Sequence, residues 1–213
     1  MPRLVIGNRN YSSWSLRPWL LMRHFGMAFD TERLPLDTPE FHQRIVALSP
    51  SKRVPVLHDG EHVVWDSLAI CEYVNEAYLD GRGWPAELHQ RAKARCAAAE
   101  MHSGFAALRS QLPMSCRRQP DAYRWKADAD ADIARVQALW GELLERSGGP
   151  FLCGDFGIVD AMFAPVAVRF RGYGVVMDDR TRAYAEAIFA LPAMREWQAE
   201  AEAEIETMAY DAL

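Results

Sequence analysis

Apolar and polar positions recur along this chain with two different periods. In the first eighty residues, short apolar runs of strand length trade places with segments of helical spacing. Strands are predicted at 3–7, 29–34, 54–58 and 62–65, and helices at 16–25, 39–48 and 67–78. The order is βαβαββα, with Asp59-Gly60 marking a hairpin between the last two strands. After Gly81-Arg82-Gly83-Trp84-Pro85 the strand period disappears, which marks a linker and a second domain. Leu88, Ala92, Cys96 and Ala99 share one helical face, and Ile133, Val136, Trp140 and Leu143 share another. Five helices are predicted there, over 86–111, 121–147, 158–171, 180–190 and 193–206. The glutamates between Glu196 and Glu206 read as a solvated helix face. The expected fold class is α/β plus all-α: a βαβαββα domain over 1–80, then a helical bundle over 86–213.

Composition narrows the function classes without choosing one. The 213 residues are 50% hydrophobic and 25% charged, an ordinary globular balance, and the formal charge of -5 argues against gripping nucleic acid. No apolar stretch approaches the ~20 residues a bilayer needs, and the start lacks a secretory pattern, so neither a membrane nor export is expected. Cys71, Cys96, Cys116 and Cys153 are widely spaced with no Cys-x-x-Cys, which disfavours a zinc knuckle or a dithiol and makes a reduced cytoplasm the expected location. His58 and His62 flank the hairpin turn without a third ligand at metal spacing, so no metal is expected.

Three segments could carry chemistry. The first is Ser12-Ser13-Trp14-Ser15-Leu16-Arg17-Pro18, between the first strand and the first helix. Pro18 lacks an N–H and is tolerated among the first helical positions, which puts the helix start near Ser15, a good capping residue. Ser12 and Ser13 then lie in the turn before a helix N-terminus, where hydroxyls, free N–H groups and the helix dipole together stabilise an anion. No Gly-x-Ser-x-Gly elbow accompanies them, so a hydroxyl reads as a donor to a bound anion rather than as a nucleophile. The second is Arg53-Val54-Pro55-Val56, where the proline withholds a ladder hydrogen bond and belongs at an edge or in a cis turn. The third is Asp66-Ser67, an acid and a hydroxyl opening a helix.

Taken in this order and spacing, with an all-helical second half, the three segments resemble the glutathione transferase superfamily, in its serine-type, theta- or zeta-like bacterial style. The resemblance implies a thioredoxin-like first domain and glutathione as cosubstrate, lying along a cis-proline edge. Val54 would pair its backbone with the cysteinyl unit beside Pro55, and Asp66 and Ser67 would hold the γ-glutamyl ammonium and carboxylate. Arg53 would face the glycyl carboxylate. Trp14, where zeta members have cysteine, would join the binding residues. Ser12 is the first choice for the hydroxyl that activates the thiol, followed by Ser13 and Ser15.

The same resemblance implies a capping aspartate, Asp160, whose hydroxyl partner is replaced by Gly157. It also implies an apolar second-substrate pocket between the domains, with Met101, Ser103, Phe105 and Leu108 as candidates. The activity implied is attack of the glutathione thiolate on a small hydrophobic electrophile, as in detoxification, by a cytoplasmic homodimer. A zeta-like maleyl cis-trans isomerase and a non-catalytic interaction module are the alternatives.

Overall fold

The computed structural model describes residues 1–208. One four-stranded sheet is built from β1 (Arg3–Ile6), β2 (Asp30–Arg33), β3 (Val56–Asp59) and β4 (His62–Trp65), in the order β2-β1-β3-β4. β1 runs parallel to β2, while β3 is antiparallel to both β1 and β4. The parallel pair needs a crossover, which α1 (Ser13–His24) supplies; α2 (Pro39–Leu48) joins β2 to β3, and α3 (Ser67–Ala77) follows β4. The hairpin closes on Gly60-Glu61, with Gly60 in the left-handed region at φ 59°. This is the thioredoxin-like βαβαββα arrangement that the sequence predicts.

Helix α1 is buried on nearly every side, including Leu16, Trp19, Leu20, Leu21 and Met22. A helix so covered belongs to the middle of a fold, and it packs on α3 as well as on two helices of the second half, α7 (Ile158–Gly172) and α9 (Pro192–Ala203). One hydrophobic cluster therefore runs from Leu4 and Ile6 through α1 to Trp140, Phe163 and Trp197. The β1–α1 turn is carried by this shared core rather than by the sheet alone.

The helical half departs from its predicted bounds in two places. The single helix expected over 86–111 is two, α4 (Leu88–Ser103) and α5 (Ala106–Gln111). At the break Phe105 takes φ 56°, and Gly104 brings its backbone so close to the Glu100 carbonyl that a Cβ would stand 2.7 Å from that oxygen. The helix expected from 121 starts six residues later, as α6 (Ala127–Ser147), because Asp121 spends its carboxylate on the Tyr123 N–H and on Arg118. With α7, α8 (Asp179–Ala190) and α9, six helices follow the linker among the described residues, against the five predicted. Residues 209–213, at the end of the predicted second domain, lie outside the described residues.

At the start of α7, Asp160 accepts from the Gly157 N–H at 2.9 Å and from Leu152 N–H at 3.0 Å. Gly157 cannot supply the missing hydroxyl, since its own Cβ would meet the Gly83 carbonyl at 2.7 Å. The Ile158 N–H donates to that same carbonyl at 2.9 Å, so close backbone approach replaces the side-chain cap.

Candidate active site

Helix α1 begins earlier than its proline indicates. Ser13 is its first residue, Ser12 is the N-cap, and Pro18 lies inside the helix. The cap is the Ser12 hydroxyl, which accepts from the Ser15 N–H at 3.4 Å and donates to Ser15 Oγ at 2.7 Å. Ser15, the expected cap and third candidate for the activating hydroxyl, is fully buried and accepts from the Gly7 N–H at 3.1 Å. It ties the end of β1 to α1 and has no open face toward a ligand. The Ser13 hydroxyl has no hydrogen-bond partner among the described residues, which leaves it available beside the helix N-terminus.

Seven residues of three segments converge on a cleft of about 350 Å3: Trp14 from α1, Arg53, Val54 and Pro55 ahead of β3, and Trp65, Asp66 and Ser67 at the β4–α3 junction, with Ser51 at the rim. The Val54-Pro55 peptide is cis. β3 is an interior strand, so of the two places open to Pro55 the structure shows the turn, with Val54 outside the ladder that begins at Val5–Val56. Larger hollows, of about 520 Å3 between α4 and α6 and about 780 Å3 beside the linker, contain none of these residues.

Asp66 opens α3 at φ 76° and ψ 135°, outside the left-handed helical well and costly for any residue but glycine. Its Oδ1 accepts from the N–H groups of Leu68 and Ala69 at 2.9 and 3.2 Å, and its Oδ2 lies 3.2 Å from His102 Nε2. The capping function holds one oxygen in place while the other faces the cleft. Ser67 is buried, and its hydroxyl accepts from Arg17 Nη1 at 3.3 Å.

Positive charge gathers behind Trp14. The Arg17 guanidinium lies 4.3 Å and the Arg109 guanidinium 4.5 Å from the centre of its ring, and His102 meets it edge-on at 5.2 Å. Neither arginine has a carboxylate within ion-pair distance among the described residues. Burial, with repulsion from Arg109 and Arg169, pushes Arg17 down to about 9, and its Nε is left without a partner. Burial also lowers Arg109 and holds His102 below its ordinary value, against the opposing pull of Asp66.

The apolar positions proposed for a second-substrate pocket do not reach this cleft. Met101 and Leu108 are fully buried and Phe105 nearly so, all in the common core, and the Ser103 hydroxyl donates to the Ala99 carbonyl. The second domain instead presents His102 and Arg109, one on α4 and one on α5. They stand on two helices separated by the Gly104-Phe105 break, so helical spacing alone does not bring them together, and the sequence carries no local signal that pairs them.

Comparison with known proteins agrees with this layout. The family described as "Glutathione S-transferase, N-terminal domain" matches residues 11–77, the stretch holding every cleft residue of the first domain. A zeta-class glutathione S-transferase of Euphorbia esula is 29% identical over 168 residues, covering 72% of this chain and 69% of the relative. Glutathione S-transferase 1 of Dianthus caryophyllus is 29% identical over 146 residues, and the aligned part spans 63% of its length. Among solved structures, a glutathione transferase homologue from Burkholderia GL BGR1 with bound glutathione superposes with a TM-score of 0.73 at 21% identity, covering 95% of this chain and 98% of that one.

Proposed function

The chain belongs to the glutathione transferase superfamily, and from that premise we propose that it binds glutathione along the Val54-Pro55 edge and activates its thiol for attack on a small electrophile. The observation that carries this reading is the convergence of Arg53, Val54, Pro55, Asp66 and Ser67 on the one cleft that Trp14 lines from the N-terminal end of α1. In that cleft the Asp66 oxygen that faces His102 suits an ammonium, Ser67 at the start of α3 suits a carboxylate, and Arg53 suits the glycyl carboxylate.

A free thiol of pKa about 8.5 is only a few per cent ionised at neutral pH. A hydroxyl donating to sulfur beside a helix N-terminus stabilises the thiolate and raises its concentration. Ser12 performs this by turning its proton from Ser15 to the sulfur, with the uncommitted hydroxyl of Ser13 as the second donor. The thiol proton passes to solvent, the sulfur lone pair forms the new carbon–sulfur bond, and the leaving group departs with its bonding pair.

The zeta-like isomerisation of a maleyl compound is the second reading, in which sulfur adds to a double bond and is then expelled. The two arginines against Trp14 favour it, since neither has a carboxylate partner and a dicarboxylic substrate would supply one. Turnover of an activated aryl halide and of a maleyl acid, measured side by side with glutathione, separates the two readings. Conjugation of the halide supports the first, isomerisation without loss of glutathione supports the second, and neither supports a non-catalytic module. A homodimer, cytoplasmic residence and detoxification belong to the same proposal and rest on the family.

A further inference from the structure

The segment that follows α9 returns to the turn that bears the serines. Glu204, whose side chain is 7% exposed, accepts from the Arg9 N–H at 2.7 Å with one carboxylate oxygen and from the Asn10 N–H at 3.1 Å with the other. The carbonyls of the same two residues are also taken by the helical half: Arg9 by the Trp197 indole N–H at 3.0 Å, and Asn10 by the Cys116 N–H at 3.1 Å. Arg117 completes the clasp, donating to the Glu204 carbonyl at 2.5 Å, to the Glu206 carbonyl at 2.7 Å and to the Tyr11 hydroxyl at 2.6 Å. Every backbone polar group of Arg9 and Asn10 is therefore bonded across the domain boundary, two residues before the Ser12 cap.

A buried carboxylate pays a desolvation cost that only well-placed donors offset. Here the donors are two adjacent backbone N–H groups, with Arg33 at 3.7 Å from the same carboxylate. Such a chelate fixes the orientation of two consecutive peptide planes, and a single amide acceptor cannot reproduce it. The Tyr11 and Ser12 N–H groups both donate to the Asn8 carbonyl, so the turn moves as one piece with whatever holds its outer edge.

We infer that Glu204 is a positioning residue for thiol activation, acting through the Arg9-Asn10 backbone to set where the Ser12 and Ser13 hydroxyls stand relative to the Val54-Pro55 edge. This inference rests on the serine-activation reading above. It concerns the glutamates that the sequence pattern assigns to a solvated helix face: Glu204 lies just past the end of α9 and is turned inward.

The test is an ultraviolet titration of the thiolate of bound glutathione, with calorimetric affinity measured in parallel. It uses wild type, Glu204→Gln, Glu204→Asp and Glu196→Gln. Glu196 on α9 pairs with Arg23 at the far end of α1 at 2.6 Å, so its variant loosens a contact between the domains away from the serines. The expected result is a thiol pKa raised by at least about half a unit in Glu204→Gln, which lowers the thiolate by up to about threefold at a pH below both midpoints. Glutathione affinity should stay within about twofold, the aspartate variant should be intermediate and Glu196→Gln should match wild type. If Glu204→Gln does not fold, the aspartate variant carries the comparison. An unchanged thiol pKa in the folded Glu204 variants overturns the inference, as does an equal shift in Glu196→Gln. Wild type that binds glutathione without a thiolate signal instead overturns the serine-activation reading itself.

Discussion

Asp66 Oδ2 and His102 Nε2 stand 3.2 Å apart, so the carboxylate proposed for the glutathione ammonium already has a partner from the helical domain. Histidinium and ammonium compete for one oxygen, while the second oxygen stays on the α3 backbone. The charged and titratable groups around His102 are Asp66, Arg17 and Arg109, beside the Trp14 ring. Burial lowers the histidine below its ordinary 6.5, so its charged form needs more acid solution than a free imidazole does. Ionisation of the thiol in the site makes glutathione affinity rise with pH toward the free thiol's value, and His102 is predicted to add a further fall as acid protonates it below its ordinary 6.5. His102→Gln should abolish most of that fall in calorimetric titrations; the same pH dependence in the variant would refute the competition.

Asp66 can be tested without dismantling the helix start. Asp66→Asn keeps a side-chain oxygen of the same reach for the Leu68 and Ala69 N–H groups, so thermal stability should change little. Loss of the charge should weaken glutathione binding by on the order of 1 to 3 kcal/mol. Unaltered affinity in this variant would remove Asp66 from the ammonium site.

The two serines should separate into a cap and a free donor. Ser12→Ala removes the α1 cap and is predicted to cost about 1 kcal/mol of stability in addition to raising the thiol pKa of bound glutathione. Ser13→Ala should leave the melting temperature unchanged and move the thiol pKa by less. Denaturant unfolding alongside the thiolate titration decides the assignment, and a larger pKa effect in Ser13→Ala would reverse it.

The order of the seven elements, the serine turn, Val54-Pro55 and Asp66-Ser67 were all legible in the sequence because each is a local signal of periodicity, turn chemistry or capping. What escaped depends on contacts across the chain. The break after Ser103 is set by the approach of Gly104 to a carbonyl four residues back, and Ser15 is consumed by Gly7 on another element. His102 and Arg109 lie beside buried Met101 and Leu108, and only the packing of α4 and α5 decides which neighbour faces the cleft.

Gly157 gives a prediction opposite to the one capping rules alone would make. A serine there would be a better cap in isolation, yet its Cβ would press on the Gly83 carbonyl at 2.7 Å, backbone against which nothing flexible can yield. Gly157→Ser is therefore expected to lose about 1 to 3 kcal/mol, as overpacking does. Denaturant midpoints would check it, and a stabilised variant would contradict the close approach.

In the proposed function this cleft binds glutathione and holds its sulfur as thiolate. The most direct measurement is calorimetric binding of glutathione to the purified protein, combined with an ultraviolet difference spectrum at the thiolate band near neutral pH. Saturable binding is expected, with a thiolate signal whose midpoint lies below the about 8.5 of the free thiol. No binding, or binding with the thiol still protonated at pH 7, would contradict it.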